Sequence, residues 1–166
     1  MPEEKNKNDA LKFAMKLIGL RRRSETEIRQ RLKDKGFDKP LIEETVEELY
    51  RFKYLNDEVF AESYINDRIN FRPAGKFVIR NELKRKGVSE KIIEEKLGEL
   101  LNDEQELKMA ENLLQKKMRI IHSKDPQKIR GKVLYFLKSR GFSQNTISQA
   151  MQNELELDKP INFEDY

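Results

Sequence analysis

The chain has 166 residues, 37% of them hydrophobic and 39% charged, and its 34 basic and 30 acidic residues leave a net charge of only +4. That balance argues against a simple polycation that coats nucleic acid. With no cysteine there is no disulfide framework, no thiolate metal site and no cysteine nucleophile, and no apolar run approaches the ~18 residues of a membrane span.

The N-terminal "MPEEKNKND" lacks the apolar stretch of a secretory signal, so the expected address is the cytoplasm. Residues 1–9 read as a disordered tail, and the first helical pattern is "DALKFAMKLIGL". Ser24 with Glu27 then has the spacing of a capping box and opens a second helix. From Ile28 runs "IRQRLKDKGFDKPLIEETVEEL", two apolar-periodic segments hinged at Gly36. The phrase "LNDE" at Leu55–Glu58 marks another helix start, with Asn56 as cap and Leu55 spaced to pack on Phe60.

The pattern then returns. "IRNELKRKGVSEKIIEEKLGEL" from Ile79 repeats the hinge at Gly87, a second "LNDE" at Leu101–Glu104 opens the next helix, and "VLYFLKSRGFSQNTISQAM" from Val133 repeats it at Gly141. Asp125–Pro126 is a cap followed by proline at the first helical position. Each glycine has an apolar residue eight before it (Ile28, Ile79, Val133) and Leu four before it (Leu32, Leu83, Leu137). Each is followed by an apolar residue (Phe37, Val88, Phe142) and a capping type (Asp38, Ser89, Ser143). Apolar positions resume six after the glycine (Ile42, Ile93, Ile147) and ten after it (Val46, Leu97, Met151). Spacings of four build one helix face, and glycine after a basic last turn is the left-handed stop.

The leading helices also align, through Phe13–Ala14, Phe60–Ala61 and Met109–Ala110. The chain is therefore expected to be all-α, an elongated array of three tandem three-helix, helix-turn-helix-like repeats over 10–52, 54–101 and 103–157, with a C-terminal tail at 158–166. The only β-branched run, "KFVIR" at Lys76–Arg80, leads into a helical pattern.

Charge separates by helix. The middle helices of the first two repeats are basic (Arg29, Arg31, Lys33 and Lys35; Arg80, Lys84, Arg85 and Lys86), and the third keeps Lys138 and Arg140. The helices after the turns are acidic, with Glu43, Glu44, Glu47 and Glu48, then Glu94, Glu95 and Glu99. A helix-turn-helix reader puts that following helix into the major groove, where these carboxylates would meet phosphates, so duplex reading is disfavoured. Further cations lie between helices, among them Lys116, Lys117, Arg119, Lys128, Arg130 and Lys132.

No catalytic constellation assembles. His122 is the sole histidine and reads as a loop residue or a cap. "AGK" at Ala74–Lys76 has Asn70 where a phosphate loop needs glycine and Phe77 where it needs a hydroxyl. Neither an enzyme, a metal site nor a cofactor is expected.

In "RRRSETEIRQRLKDKGF", in "YLNDEVFAESYINDR" followed by "GKFVIRNELKRKGV", and in "YFLKSRGFS", the chain resembles the RecX family of bacterial regulatory proteins, over roughly residues 10 to 155. The resemblance implies a curved, all-α protein that binds RecA, above all RecA polymerised on single-stranded DNA. It further implies that the protein hinders filament growth, ATPase activity and strand exchange, acts as a monomer away from membranes, and binds DNA directly at most weakly. The residues expected to contact RecA or DNA are Arg21, Arg29, Arg68, Arg72, Lys76, Arg80, Lys84 and Lys86. The competing reading is a stand-alone nucleic-acid-binding array, for which Phe71 and Phe77 are stacking candidates, with Phe77 expected in the core.

Overall fold

A computed structural model describes residues 6–123 and 125–155 of the chain. The described residues form nine α-helices: α1 (Lys7–Leu20), α2 (Glu25–Asp34), α3 (Lys39–Arg51), α4 (Asp57–Asn70), α5 (Lys76–Arg85), α6 (Glu90–Leu100), α7 (Asp103–Met118), α8 (Pro126–Ser139) and α9 (Gln144–Leu155). "KFVIR" is helical, its β-branched residues overridden by the helical period of Ile79 and Leu83.

Short polar side chains start these helices by satisfying orphan N–H groups. Ser24 and Asn102 form capping boxes with Glu27 and Gln105, and Asp38 and Asp125 cap α3 and α8. Asn56 Oδ1 accepts from Val59 N–H at 3.0 Å, so the first "LNDE" opens α4 as the second opens α7. The chain is already helical at Lys7, because Asn6 and Asp9 form a further capping box. The expected tail therefore ends earlier than residue 9; its first five residues, and the tail at 158–166, lie outside the described residues.

Gly36, Gly87 and Gly141 all have φ between 81° and 84°, the left-handed region that glycine occupies without a Cβ penalty. At each, the residue after the glycine donates back to the leucine carbonyl of the preceding helix (Phe37 to Leu32, Val88 to Leu83, Phe142 to Leu137). All fifteen apolar positions counted from these glycines are buried.

The described residues divide into two compact units, one gathering the chain up to Tyr64 with Leu83–Lys96, the other Ile65–Glu82 with the chain from Leu97. The divisions fall inside α4, α5 and α6, so the units do not follow the sequence repeats. In the first unit α1, α2 and α3 pack together around Ala10, Ala14, Ile28, Leu32 and Leu49. In the second, α7, α8 and α9 pack around Leu114, Leu137, Ile147 and Met151. Burying each of these leucine, isoleucine and methionine side chains stabilises the fold by about 1.5–3 kcal/mol.

A repeated joint organises both units. In the first, the Ser24 hydroxyl donates to the Lys86 carbonyl at 2.6 Å and Glu25 N–H donates to Asp57 Oδ1 at 3.1 Å. A Cβ on Gly87 would overlap Thr26. In the second, Gly75 N–H donates to the Arg140 carbonyl at 2.9 Å and Lys76 N–H to Glu106 Oε1 at 2.8 Å. A Cβ on Gly75 would overlap the Gly141 carbonyl. In each case the start of one repeat's middle helix receives the glycine turn and a carboxylate of the next repeat.

Candidate partner-binding surface

The eight expected contact residues fall four to a unit. In the first unit Arg21 and Lys86 converge on Glu27, at 2.8 Å and 3.3 Å. Burial alone would raise the Glu27 carboxyl, but hydrogen bonds from Arg21 and from Ser24 N–H, with the charge of Lys86, outweigh it and hold the group at about 2. Lys86 also lies over the Tyr64 ring, 5.3 Å from its centre. Arg29 bridges Glu25 at 2.5 Å and Glu43 at 2.8 Å, and Lys84 reaches Glu90 at 2.6 Å. Part of the basic stripe is thus neutralised internally by the acidic residues around it.

In the second unit Arg68 is spent on Glu82. Its Nε lies 3.0 Å from Oε2, out of line for a hydrogen bond, and its side chain is only 16% exposed. Arg72 is exposed beside the exposed Phe71. Lys76 and Arg80 line one cleft of about 710 Å³, together with Lys138 and Phe77. Lys76 Nζ is paired there with Asp103, and the hydrogen bond from that ammonium lowers the Asp103 pKa. Glu106, only 5% exposed, closes the inner wall by accepting from Lys76 N–H.

Phe77 corrects an expectation: it is 64% exposed, not part of the core. Ile79 and Leu83 take the buried stripe of α5, and a residue two places before Ile79 lies on nearly the opposite face. Sequence reasoning also missed Lys138 as a neighbour of Lys76 and Arg80, and missed the carboxylates of the joints. The joints had a legible signal, since Asp57 and Glu106 each stand four before the aligned alanines, Ala61 and Ala110. His122 is an exposed loop residue, as expected.

The cleft presents both signs of charge, an exposed ring and several amide and hydroxyl groups, which suits recognition of a surface more than chemistry. Among the described residues no helix is long and apolar enough to cross a membrane.

Glycine hinges, caps and joints that recur from one three-helix unit to the next define a tandem helical-repeat protein. Three family models match it in order: RecX first three-helix domain over residues 10–49, second over 56–97 and third over 103–151. The chain belongs to the RecX family of regulatory proteins. It is 32% identical to regulatory protein RecX of Pelodictyon phaeoclathratiforme over 149 residues, covering 90% of this chain and 91% of the relative. It is 38% identical to regulatory protein RecX of Clostridium perfringens (strain SM101) over 141 residues, 84% of this chain and 63% of the relative. The crystal structure of RecX from Lactobacillus salivarius shares the fold, with a TM-score of 0.80 at 24% identity over 91% of this chain and 97% of that one.

Proposed function

We propose that this chain binds the RecA recombinase, above all as the filament on single-stranded DNA, and restrains filament growth, ATP hydrolysis and strand exchange in recombination and DNA repair. In this reading it acts as a cytoplasmic monomer, without catalysis of its own. The observation that carries the reading is the ordered match of all three RecX three-helix domains to one chain. The mixed charge of the cleft around Lys76 and Arg80 supports it, because a protein filament offers both signs of charge where a nucleic-acid backbone offers one. Tandem units contribute modestly one by one, and their linkage supplies avidity.

The test is ATP hydrolysis by RecA on single-stranded DNA with and without the protein. Suppression at substoichiometric amounts is expected, and unaffected hydrolysis sinks the reading. The triple charge reversal Arg72→Glu, Lys76→Glu, Arg80→Glu should relieve suppression while helicity stays intact. Undiminished suppression by that variant removes the patch and leaves the wider reading standing.

A further inference from the structure

The corner where α7 runs into α8 carries a charge that the proposed RecA contact does not use. Between Lys116 and Lys132 the sequence has seven Lys and Arg and a single acid, Asp125, itself the cap of α8. This is the steepest charge imbalance in a chain whose basic helices are otherwise balanced by glutamates. Among the described residues no carboxylate pairs with Lys116, Lys117, Arg119 or Lys132. Elsewhere in the chain Arg29, Lys84 and Lys86 are all so paired.

The cations surround apolar surface. A cleft of about 510 Å³ is lined by Lys117, Lys132, Ile120, His122, Tyr135 and Phe136, among others. Tyr135 is 76% exposed and Ile120 63%. The Phe136 ring has the Lys117 ammonium 5.1 Å from its centre and the Arg140 guanidinium at 5.3 Å. A large exposed ring beside unpaired cations is costly to leave in water and matches a ligand with a flat apolar face on an anionic chain.

We propose that the α7–α8 corner is a binding site for single-stranded nucleic acid, in which Lys117 and Lys132 contact backbone phosphates and Tyr135 stacks on a base. The site is separate from the cleft around Lys76 and Arg80 and does not depend on the RecA reading. A duplex hides its base faces and leaves Tyr135 nothing to stack on; an acidic protein surface supplies charge without the flat ring.

The experiment is fluorescence anisotropy of a labelled oligo-dT strand titrated with the full chain across a series of salt concentrations. Wild type should bind with a steep salt dependence. Lys117→Glu with Lys132→Glu should weaken binding at least tenfold, and neutral Lys117→Gln with Lys132→Gln should lower the log–log salt slope by about 1.4, from ~0.7 per phosphate lost. Tyr135→Ala should weaken binding roughly tenfold, and Tyr135→Phe should restore it to within about twofold of wild type because the ring face survives. Circular dichroism checks that each variant keeps its helices, as exposed positions should. No binding by wild type, or full-strength binding by the charge-reversed and Tyr135→Ala variants, overturns the site. Equal affinity for the matching duplex overturns the single-strand assignment, and equal competition by poly-glutamate reassigns the corner to an acidic protein.

Discussion

Ser24 and Gly75 do the same work with different atoms: one donates from its hydroxyl to the Lys86 carbonyl at 2.6 Å, the other from its backbone N–H to the Arg140 carbonyl at 2.9 Å. Both stand immediately before a middle helix, and both acceptors precede a turn glycine. The joint is conserved in its geometry within one chain, while its chemistry has changed.

Ser24→Ala should cost about 2 kcal/mol, because it removes an N-cap and leaves a carbonyl without its partner. Gly75→Ala should cost more, about 2–4 kcal/mol, because backbone rather than a flexible side chain faces the new methyl group. Urea denaturation measures both as a lower midpoint at unchanged slope.

The joint carboxylates separate charge from hydrogen bonding. Burial raises the Asp57 pKa, the Glu25 N–H bond lowers it and the neighbouring Glu25 charge raises it again, for a net rise. Asp57→Asn keeps an acceptor for that N–H and removes the repulsion, so its stability at pH 7 should stay within about 1 kcal/mol of wild type, on the stabilising side. Asp57→Ala should lose roughly 1–2 kcal/mol. A pair of melting curves distinguishes them; equal losses would mean that charge, not the acceptor, holds the joint.

Glu27 makes the fold acid-sensitive. Its folded pKa, about 2, lies below the ordinary value of 4.5. Its contribution is therefore present above the ordinary value and is lost as pH falls from there toward 2. Discounted for partial exposure, it amounts to about 1–2 kcal/mol at neutral pH. Glu27→Gln should be destabilised by that amount at pH 7 and should converge on wild type toward pH 2. A gap that persists at pH 2 would assign the loss to packing.

Lys53 adopts φ 59°, the only non-glycine residue with positive φ among those described. It ends α3 as the turn glycines end the middle helices, with Lys53 N–H bonded to the Tyr50 carbonyl and Tyr54 N–H to the Leu49 carbonyl. Lys53→Gly should therefore stabilise the chain by up to about 1 kcal/mol, read as a raised melting temperature. A lowered one would show that the lysine side chain makes up for its backbone strain.

Helix starts, turns and buried stripes were legible because they depend on neighbours within a few residues. Gly36, Gly87 and Gly141 set the register from which fifteen core positions followed. Phe77 was misplaced because its residue type was given more weight than its phase on α5, although the phase was there to be read. The fate of the cations was hidden for a different reason. Whether Arg68 meets Glu82 or Lys86 meets Glu27 depends on how helices distant in sequence come to rest against each other. The cations of the α7–α8 corner were legible as a group in the sequence, but the exposed Tyr135 and Ile120 beside them were not, because exposure depends on how α7 and α8 pack.

Pro126 occupies on α8 the place that Glu25 holds on α2 and Lys76 on α5, the first helical residue, and proline has no N–H to offer. The preceding cap, Asp125, turns its own carboxylate onto Gln127 and Lys128. A further glycine turn arriving at α8 would find the N–H missing, and in Asp125 a carboxylate with no proton to donate as the Ser24 hydroxyl does. The start of α8 thus cannot repeat the joint that Glu25 and Lys76 make, a stop signal written as one withheld proton.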